Sequence, residues 1–222
     1  MSRDQTRHTV PYRSLLEAEA GRSGLSLSSE CLDRLTTHYR LLSKWNAAVR
    51  LTGNPDPQVV VGRHISDSLA LVPHLHDPRG TLLDIGSGNG FPGIVLKCVC
   101  PDLRLTMLEP TIRKSVFLSE VISELGLTEA RVLRARVDRR PDLIRLGRWD
   151  QITLRAVAAI TTLVASGSDV LNPGGRILLL VGDARRAEAI RSLRPPLELL
   201  SDIKRPAMRS SYILSIGLPA DW

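Results

Sequence analysis

The sequence has few aromatic residues, which make up only 4% of its 222 residues. Proteins that bind single strands on a platform of stacked rings need many such side chains, so this class is not expected. Only three cysteines are present, Cys31, Cys98 and Cys100. They form no Cys-x-x-Cys pair, lie in apolar helical patterns and have no histidine cluster beside them, so we predict buried thiols and no metal site.

Long apolar segments are also missing. No stretch reaches the roughly 18 to 20 apolar residues that span a bilayer, and the first 11 residues are polar and lack a signal-peptide core. We therefore predict a cytoplasmic protein without membrane contact. The length and the 43% hydrophobic content suit one core with a small appendage.

Lysine is scarce as well. Only four of the 30 basic residues are lysines, although the net charge is +7. Arginine suits phosphates and base edges, so the charge balance favours a polyanionic partner. A GC-rich genome would also favour arginine over lysine.

Two regions follow each other along the chain. Residues 1–78 look helical: Ser28 and Ser29 can cap a helix with apolar residues at steps of three or four, and further helices are predicted at residues 12–19 and 58–75. Residues 79–222 alternate strands with helices, which indicates a doubly wound parallel sheet. The strands are predicted at residues 81–85, 103–108, 131–133, 151–154, 176–181, 197–202 and 212–216.

The helices of this second region are predicted at residues 93–99, 112–125, 160–171 and 183–193, with a sharp turn at residues 172–175. The last two strands read as an antiparallel hairpin that ends the sheet. The fold class is therefore α/β, a Rossmann-like sheet of seven strands with its last strand antiparallel and an N-terminal helical extension.

A glycine-rich loop follows the first strand of this sheet. Gly86, Gly88 and Gly90 come directly after Asp84 and an apolar run, where glycine lets the backbone turn tightly and approach a ligand. Glu109 ends the second strand, 25 positions after Asp84, near the spacing of a ribose-binding acid. A plain strand-to-helix connection and an NAD site are the alternatives. The loop has no lysine, and Asp84 would oppose a pyrophosphate but favour a cationic sulfonium.

These features resemble class I S-adenosylmethionine-dependent methyltransferases. Within them, the chain is similar to the bacterial 16S ribosomal RNA guanine-N7 methyltransferases, the RsmG or GidB family, through motifs that occur in order. The matching blocks are Lys44-Trp45-Asn46, Leu51-Thr52, Arg63-His64-Ile65, Asp67-Ser68-Leu69, Asp84-Ile85-Gly86-Ser87-Gly88-Asn89-Gly90-Phe91-Pro92-Gly93-Ile94, Leu108-Glu109-Pro110 with Arg113-Lys114 and Phe117-Leu118, Ala135-Arg136-Val137-Asp138, and Arg155-Ala156-Val157-Ala158.

The resemblance implies roles for particular residues. S-adenosylmethionine would contact the glycine loop, including Gly86 and Phe91, and the ribose would contact Glu109, while Val137 and Asp138 would hold the adenine. Arg155 would lie beside the methyl-transfer pocket as the catalytic residue, and from the residues alone it can also pair with Asp84 or Asp150. The predicted cofactor set is Asp84, Gly86, Gly88, Gly90, Phe91, Glu109, Val137, Asp138 and Arg155.

The implied substrate is guanine in 16S ribosomal RNA or the 30S particle, with guanine 527 as the family target. Guanine N7 has a lone pair in its neutral form, so no catalytic base is required. The predicted substrate-binding residues are Arg63, His64, Arg113, Lys114, Arg185 and Arg186. Lys204, Arg205 and Arg209 are further candidates for phosphate contacts.

The chain departs from the family pattern in two places that bear on the substrate. Leu180-Val181-Gly182 has valine where the family has lysine, and the segment before the last strand lacks the family's acidic and histidine residues. A natural-product methyltransferase acting on a small heteroaromatic nitrogen, and a cofactor-binding protein without catalysis, remain alternatives. We expect a monomer.

Overall fold

The structure is a computed structural model that describes residues 10–155, 160–205 and 211–219. One sheet of seven strands forms its centre, in the order β3-β2-β1-β4-β5-β7-β6. The strands are β1 (Thr81–Ile85), β2 (Arg104–Leu108), β3 (Ala130–Leu133), β4 (Trp149–Arg155), β5 (Leu171–Val181), β6 (Glu198–Lys204) and β7 (Tyr212–Gly217).

Ten α-helical segments surround this sheet in the described part of the chain. They are α1 (Tyr12–Arg22), α2 (Ser29–Val49), α3 (Pro57–Val59), α4 (Ser66–Leu69), α5 (Gly93–Val99), α6 (Ile112–Glu124), α7 (Arg140–Ile144), α8 (Ile160–Ala165), α9 (Gly167–Val170) and α10 (Asp183–Arg191). A π-helical stretch, Val60–Ile65, joins α3 to α4, and a 3-10 turn, Val72–His74, follows α4.

The pairing of the strands confirms the predicted fold class. β1 pairs in parallel with β2 and β4, and β3 and β5 continue the parallel ladder on either side. β7 is antiparallel to both β5 and β6, which is the predicted terminal hairpin. Parallel strands buried on both faces need continuous apolar runs, and in β1 the four residues from Leu82 to Ile85 are all buried.

The N-terminal helices share a core with the sheet. Ser28 caps α2 by accepting a hydrogen bond from the backbone N–H of Cys31 (3.1 Å), and the buried face of α2 includes Leu35 and Leu42. These residues belong to one apolar cluster with α5, α6 and one face of the sheet. The division at residue 78 stays a prediction, but the helical region lies against the sheet.

Two of the predicted helices need correction. The helix predicted to reach residue 75 ends at Leu69, because a helix continued through Pro73 would bring the proline ring against the carbonyl of Leu69. The helix predicted at residues 160–171 is divided into α8 and α9, with Ser166 between them outside helical geometry. The short helix α7 was not predicted.

The turn predicted at residues 172–175 lies inside β5 rather than before it. Trp149 of β4 pairs with Leu171 of β5, and the next pair is Gln151 with Arg176. One residue of β4 therefore lies opposite four residues of β5. The extra residues form a bulge in the strand, as Pro and Gly in a strand favour. Among the described residues, no helix is long and apolar enough to cross a membrane.

Candidate active site

The glycine loop leaves the carboxyl end of β1 and leads into α5. Gly86, Gly88 and Gly90 have φ angles of 75°, 55° and 89°, in the left-handed region that favours glycine. Space is also short at Gly90, where a Cβ would lie 2.9 Å from Cγ1 of Ile94 and 3.0 Å from Nε2 of His38. The shape of the loop therefore depends on glycine.

Asp84 lies beneath this loop and is almost fully buried. Its Oδ2 accepts a hydrogen bond from the backbone N–H of Gly93 (3.3 Å), and its Oδ1 accepts one from Oγ1 of Thr153 (3.1 Å). Burial raises the pKa of this carboxyl, while its hydrogen bonds and the charge of Arg155 oppose the rise. Asp84 thus ties the start of α5 to β4 and supports the loop from below.

Glu109 joins the loop to the end of β2. Its Oε2 accepts a hydrogen bond from the backbone N–H of Gly88 (3.0 Å), and its Oε1 accepts one from the N–H of Thr111 (2.8 Å). A carboxyl group has about four lone-pair sites on its two oxygens, so Glu109 keeps acceptor capacity beyond these two bonds, although the residue is only 4% exposed. The glycine loop and the acid at the end of β2, which the sequence spacing predicted to act together, are therefore in direct contact.

A cavity of about 550 Å³ opens between the glycine loop and the N-terminal helical region. This volume lies within the range of roughly 300–1,000 Å³ that small-molecule sites occupy. The wall of the cavity contains residues of both regions and of α6 and β4. Of the predicted site residues, it brings together Arg63, His64, Gly86, Gly88, Phe91, Lys114 and Arg155.

Three of these side chains form a stack on one wall. The rings of His64 and Phe91 lie nearly parallel, with centroids 5.1 Å apart. The guanidinium carbon of Arg155 lies 5.8 Å from the centroid of Phe91, and Nη1 of Arg155 donates to Nδ1 of His64 (2.7 Å). Since a guanidinium has donors only, Nδ1 accepts, and neutral His64 carries its proton on Nε2.

The charge state of His64 follows from the same contacts. Burial, with the positive charges of Arg155 and Arg63, lowers the pKa of His64 to about 3. The ring is therefore neutral at pH 7, and its Nε2–H lies 3.5 Å from Oγ1 of Thr52. With Nδ1 engaged and Nε2 protonated, His64 offers a hydrogen-bond donor rather than a base.

Arg155 forms its ion pair with an acid that sequence analysis did not consider. Its Nη1 lies 3.8 Å from Oδ2 of Asp67, whereas the carboxylate of Asp150 accepts hydrogen bonds from Thr81 and Asn172. Asp84 acts on Arg155 through its charge. The residues 156–158 that follow Arg155 in its motif lie outside the described part of the chain.

Asp67 also binds Arg205, which sequence analysis assigned to RNA phosphate. This assignment was wrong, because Arg205 is only 7% exposed and donates to Oδ1 of Asp67 and to Oγ of Ser66 (2.8 Å). The backbone N–H of Arg205 donates to the carbonyl of Ser211. The end of β6 is thereby fastened to the helical region that forms the cavity wall. Arg209 lies outside the described residues.

Replacing Arg205 by methionine is expected to lower the free energy of unfolding by about 2 kcal/mol, because a buried carboxylate loses a charged hydrogen-bond donor. The neighbouring exchange Lys204→Met is the control, since Lys204 is exposed. Urea unfolding of both variants measures the difference. Equal stabilities would mean that the contact between Arg205 and Asp67 contributes nothing.

His38 supports the loop from the other side and was not predicted as a site residue. It is fully buried on α2, and its Nε2–H donates to the carbonyl of Asn89 (2.9 Å). Its ring centroid lies 4.9 Å from that of Phe91. Burial lowers the pKa of His38 to about 4. The only sequence signal is a histidine on the apolar face of an amphipathic helix.

The lowered pKa of His38 predicts acid sensitivity. Between pH 7 and pH 5 the unfolded chain binds a proton at this position while the folded chain does not, so stability falls as pH falls. For pKa values of 6.5 and about 4, His38 alone removes about 2 kcal/mol over this interval. In His38→Gln, the amide can donate to the same carbonyl but does not titrate. In urea unfolding, we therefore expect the free energy of unfolding of this variant to fall by about 2 kcal/mol less between pH 7 and pH 5 than that of the wild type. Equal losses in the two proteins would contradict the assignment.

Several predicted residues lie outside the cavity wall. Asp84, Gly90 and Glu109 belong to or support the glycine loop but do not line the cavity themselves. Val137 is buried in the apolar cluster on the other face of the sheet, and Asp138 is exposed and accepts a hydrogen bond from Arg136 (2.8 Å). Their adenine role stays a prediction. Arg113 is exposed at the start of α6, beside Lys114.

Arg185 and Arg186 are engaged in contacts within the protein. Arg185 donates to Glu188 (2.6 Å), and Arg186 pairs with Asp202 and lies 4.9 Å above the ring of Tyr212. An RNA phosphate would have to compete with these acids. In the part of the chain that the structure describes, no three histidine, cysteine, aspartate or glutamate residues could hold a metal ion.

Comparison with known proteins settles the family. The profile of rRNA small subunit methyltransferase G matches residues 32–198. The chain belongs to this family. It is 37% identical to the ribosomal RNA small subunit methyltransferase G of Stenotrophomonas maltophilia (strain K279a) over 175 residues, 79% of this chain and 80% of that protein. With the protein of that name from Ralstonia nicotianae it shares 36% identity, covering 94% of this chain and 92% of the relative.

Solved structures agree on the fold of this methyltransferase. TrmN from Thermus thermophilus superposes with a TM-score of 0.55 at 20% identity, over 72% of this chain and 53% of that one. The glycopeptide N-methyltransferase MtfA, complexed with sinefungin, gives 0.57 at 10% identity, over 70% and 94%. The family match at residues 32–198 includes every residue of the cavity wall. Arg205 lies beyond the matched region.

Proposed function

We propose that this methyltransferase uses S-adenosylmethionine to methylate N7 of a guanine in 16S ribosomal RNA, with guanine 527 as the target position. The observation that carries the proposal is the composition of the cavity wall. One part of the wall is a glycine loop of the cofactor-binding kind, and Arg63, His64 and Lys114 line the same cavity beside it, where a substrate would bind.

The chain's residues fit S-adenosylmethionine better than a dinucleotide. The N–H groups of Gly86, Ser87, Gly88 and Gly90 all donate within the protein, to Leu108, Leu108, Glu109 and Ser87. A pyrophosphate needs such donors free. A cofactor without phosphates does not, and the spare acceptor capacity of Glu109 suits ribose hydroxyls.

Methyl transfer to N7 requires the protein to orient the two reactants and requires no general base. S-adenosylmethionine supplies an electrophilic methyl group, and N7 of neutral guanine has the lone pair that accepts it. Holding the two in line contributes roughly 7 to 11 kcal/mol in well-oriented reactions. His64, neutral and fixed by Arg155, presents its Nε2–H as a donor to the acceptor edge of guanine, which carries N7 and O6.

The RNA contact is proposed for the rim of the cavity. Arg63 is exposed on the π-helical stretch, and Arg113 and Lys114 begin α6. Arg63 and Lys114 line the cavity and Arg113 is the neighbour of Lys114 in the chain, so these cations suit the phosphates on either side of a bound base. Arg185 and Arg186 contribute less, because Glu188 and Asp202 already neutralise them.

A second candidate is a methyltransferase for a small heteroaromatic nitrogen. Val181, in place of the family's lysine, is the observation that favours it. The two candidate functions differ in the role of Arg63, Arg113 and Lys114. An RNA substrate would bring phosphates to these cations, whereas a small neutral substrate needs no phosphate contact. Cytoplasmic location and the monomeric state stay predictions.

The test is transfer of labelled methyl groups to three acceptors in parallel. These are 30S particles that lack the modification, protein-free 16S RNA, and a panel of small heteroaromatic amines. We expect label in the RNA of the particles and none in the amines. Label in an amine only, with S-adenosylmethionine binding demonstrated by calorimetry, would favour the second candidate. A Lys114→Gln variant should transfer more slowly to RNA while binding the cofactor normally.

A further inference from the structure

A second concave surface lies at the opposite end of the sheet from the active site. This amino-end groove, of about 480 Å³, is bounded by the first residues of β1 to β4. Its lining includes three arginines, Arg104, Arg131 and Arg148, with Thr106, Trp149 and one acid, Glu129. Nothing in the methyl-transfer mechanism uses it.

The groove exists because one helix is short. In a doubly wound sheet, the helix after β3 would cover this face of β2 and β3, but α7 has only five residues and contacts α8 and α9. The amino halves of β2 and β3 are left with polar side chains. Thr106, which is itself buried, pairs in register with Arg131 on this face, so the lining combines a guanidinium and a hydroxyl group with the apolar side chains of Leu105 and Leu146.

Two of the three arginines are held in place by the protein. Nε of Arg131 donates to Oγ1 of Thr106 (3.1 Å), and Nη1 of Arg148 donates to the carbonyl of Leu171 (2.6 Å). Nη1 of Arg148 also donates to the carbonyl of Ser168 (3.2 Å). Since each guanidinium has five donors, Arg131 keeps four donors for a ligand and Arg148 keeps three. Orienting them beforehand lowers the entropy cost of binding an anion.

The charges around the groove favour an anion. Three guanidinium groups face one carboxylate, Glu129. Asp150 attracts Arg104, but its carboxylate is occupied by Thr81 and Asn172.

We propose that the amino-end groove binds backbone phosphates of RNA, as a second anchor for the substrate. The proposal rests on the proposed function. Strand residues rise by about 3.3 Å, so the groove lies roughly 13 Å from the glycine loop, the length of β1. The nucleotide in the cavity cannot reach it. Its occupant is therefore the backbone of other nucleotides of the RNA, whose phosphate oxygens arginine matches in pairs.

The test compares two charge-matched variants. Arg104→Gln with Arg131→Gln removes two cations from the groove, and Arg191→Gln with Arg194→Gln removes two exposed cations at the end of α10. Binding to 30S particles is measured from 50 to 200 mM salt. Each phosphate contact contributes about 0.7 to 0.9 to the slope of log affinity against log salt. We expect the groove variant to lose one to two such contacts and at least about tenfold in affinity at 100 mM salt.

Other measurements separate the alternatives. The groove variant should bind S-adenosylmethionine normally and, at saturating particles, transfer methyl groups at the normal rate. Salt slopes equal to those of the control variant overturn the proposal. Calorimetry with inorganic phosphate and a nucleoside monophosphate tests a small-anion site: micromolar binding of either, lost in the groove variant without loss of particle affinity, also overturns it. The single variant Arg104→Gln breaks no hydrogen bond among the described residues and should fold normally. A loss of particle affinity in this variant would therefore not be caused by misfolding.

The proposed function can fail separately. If the groove variant binds 30S particles more weakly than the wild type but the wild type transfers no methyl group to them, the RNA-binding groove is supported and the proposed reaction is contradicted. If the wild type transfers the methyl group and the groove variant binds the particles as well as the control variant does, the reaction is supported and the groove is contradicted.

Discussion

Gly90→Ala is expected to lower cofactor affinity at least about tenfold, which corresponds to about 1.4 kcal/mol. Its φ of 89° strains any L side chain, and the new Cβ would lie 2.9 Å from Ile94 and 3.0 Å from His38. Both neighbours are core side chains, so the loop must move. The free energy of unfolding should fall by about 2 to 3 kcal/mol. Calorimetry with S-adenosylmethionine and urea unfolding measure the two effects.

Gly53→Ala is the matched control for this exchange. Gly53 lines the same cavity, and a Cβ there would meet nothing within 4 Å. Its variant should retain both the affinity and the stability of the wild type. If Gly90→Ala binds the cofactor as well as Gly53→Ala does, the glycine loop is not the cofactor site.

Arg155→Met is expected to lower kcat/KM for methyl transfer by about 100- to 1,000-fold, an effect typical of removing one preorganised donor from an active site. Without Arg155, His64 loses the contact at Nδ1 (2.7 Å) and its tautomer is no longer fixed. Among the described residues, Asp67 then keeps one of its two arginine partners, Arg205. Steady-state kinetics with 30S particles measures the loss, and affinity for S-adenosylmethionine should change much less.

An independent readout separates this role from general damage. Arg155 is one of the causes of the low pKa of His64, so Arg155→Met should raise that pKa, as followed by NMR of the imidazole ring. Arg155→Lys keeps the charge but lacks the planar fork; it should keep the pKa low and restore only part of the rate. Full activity of Arg155→Met would remove Arg155 from the mechanism.

The sheet could be predicted from the sequence because its strands are short apolar runs separated by turn residues. β1 and α5 begin and end where predicted, since Gly86 to Pro92 interrupt both patterns. The contact between Glu109 and the glycine loop was also foreseeable, because the carboxyl ends of neighbouring parallel strands meet at one edge.

The parts that escaped prediction depend on contacts between distant residues. His38 and Asn89 are 51 positions apart, and Arg205 and Asp67 are 138 apart. Periodicity describes a chain's neighbours along one element and carries no information on such pairs. Arg205 therefore looked like a surface cation, although it is buried against an acid. The bulge in β5 escaped for a different reason: Pro173, Gly174 and Gly175 are typical of turns, and only the pairing with β4 shows that the strand resumes the same ladder.

The most direct test of the central claim is nucleoside analysis of the methylated RNA. 30S particles that lack the modification are incubated with the protein and labelled S-adenosylmethionine, and the 16S RNA is digested and resolved by mass spectrometry. We expect label in 7-methylguanosine, at one position, and its loss with Arg155→Met. Label in a different base or at a different atom of guanine, or label confined to small molecules, would contradict the proposed function.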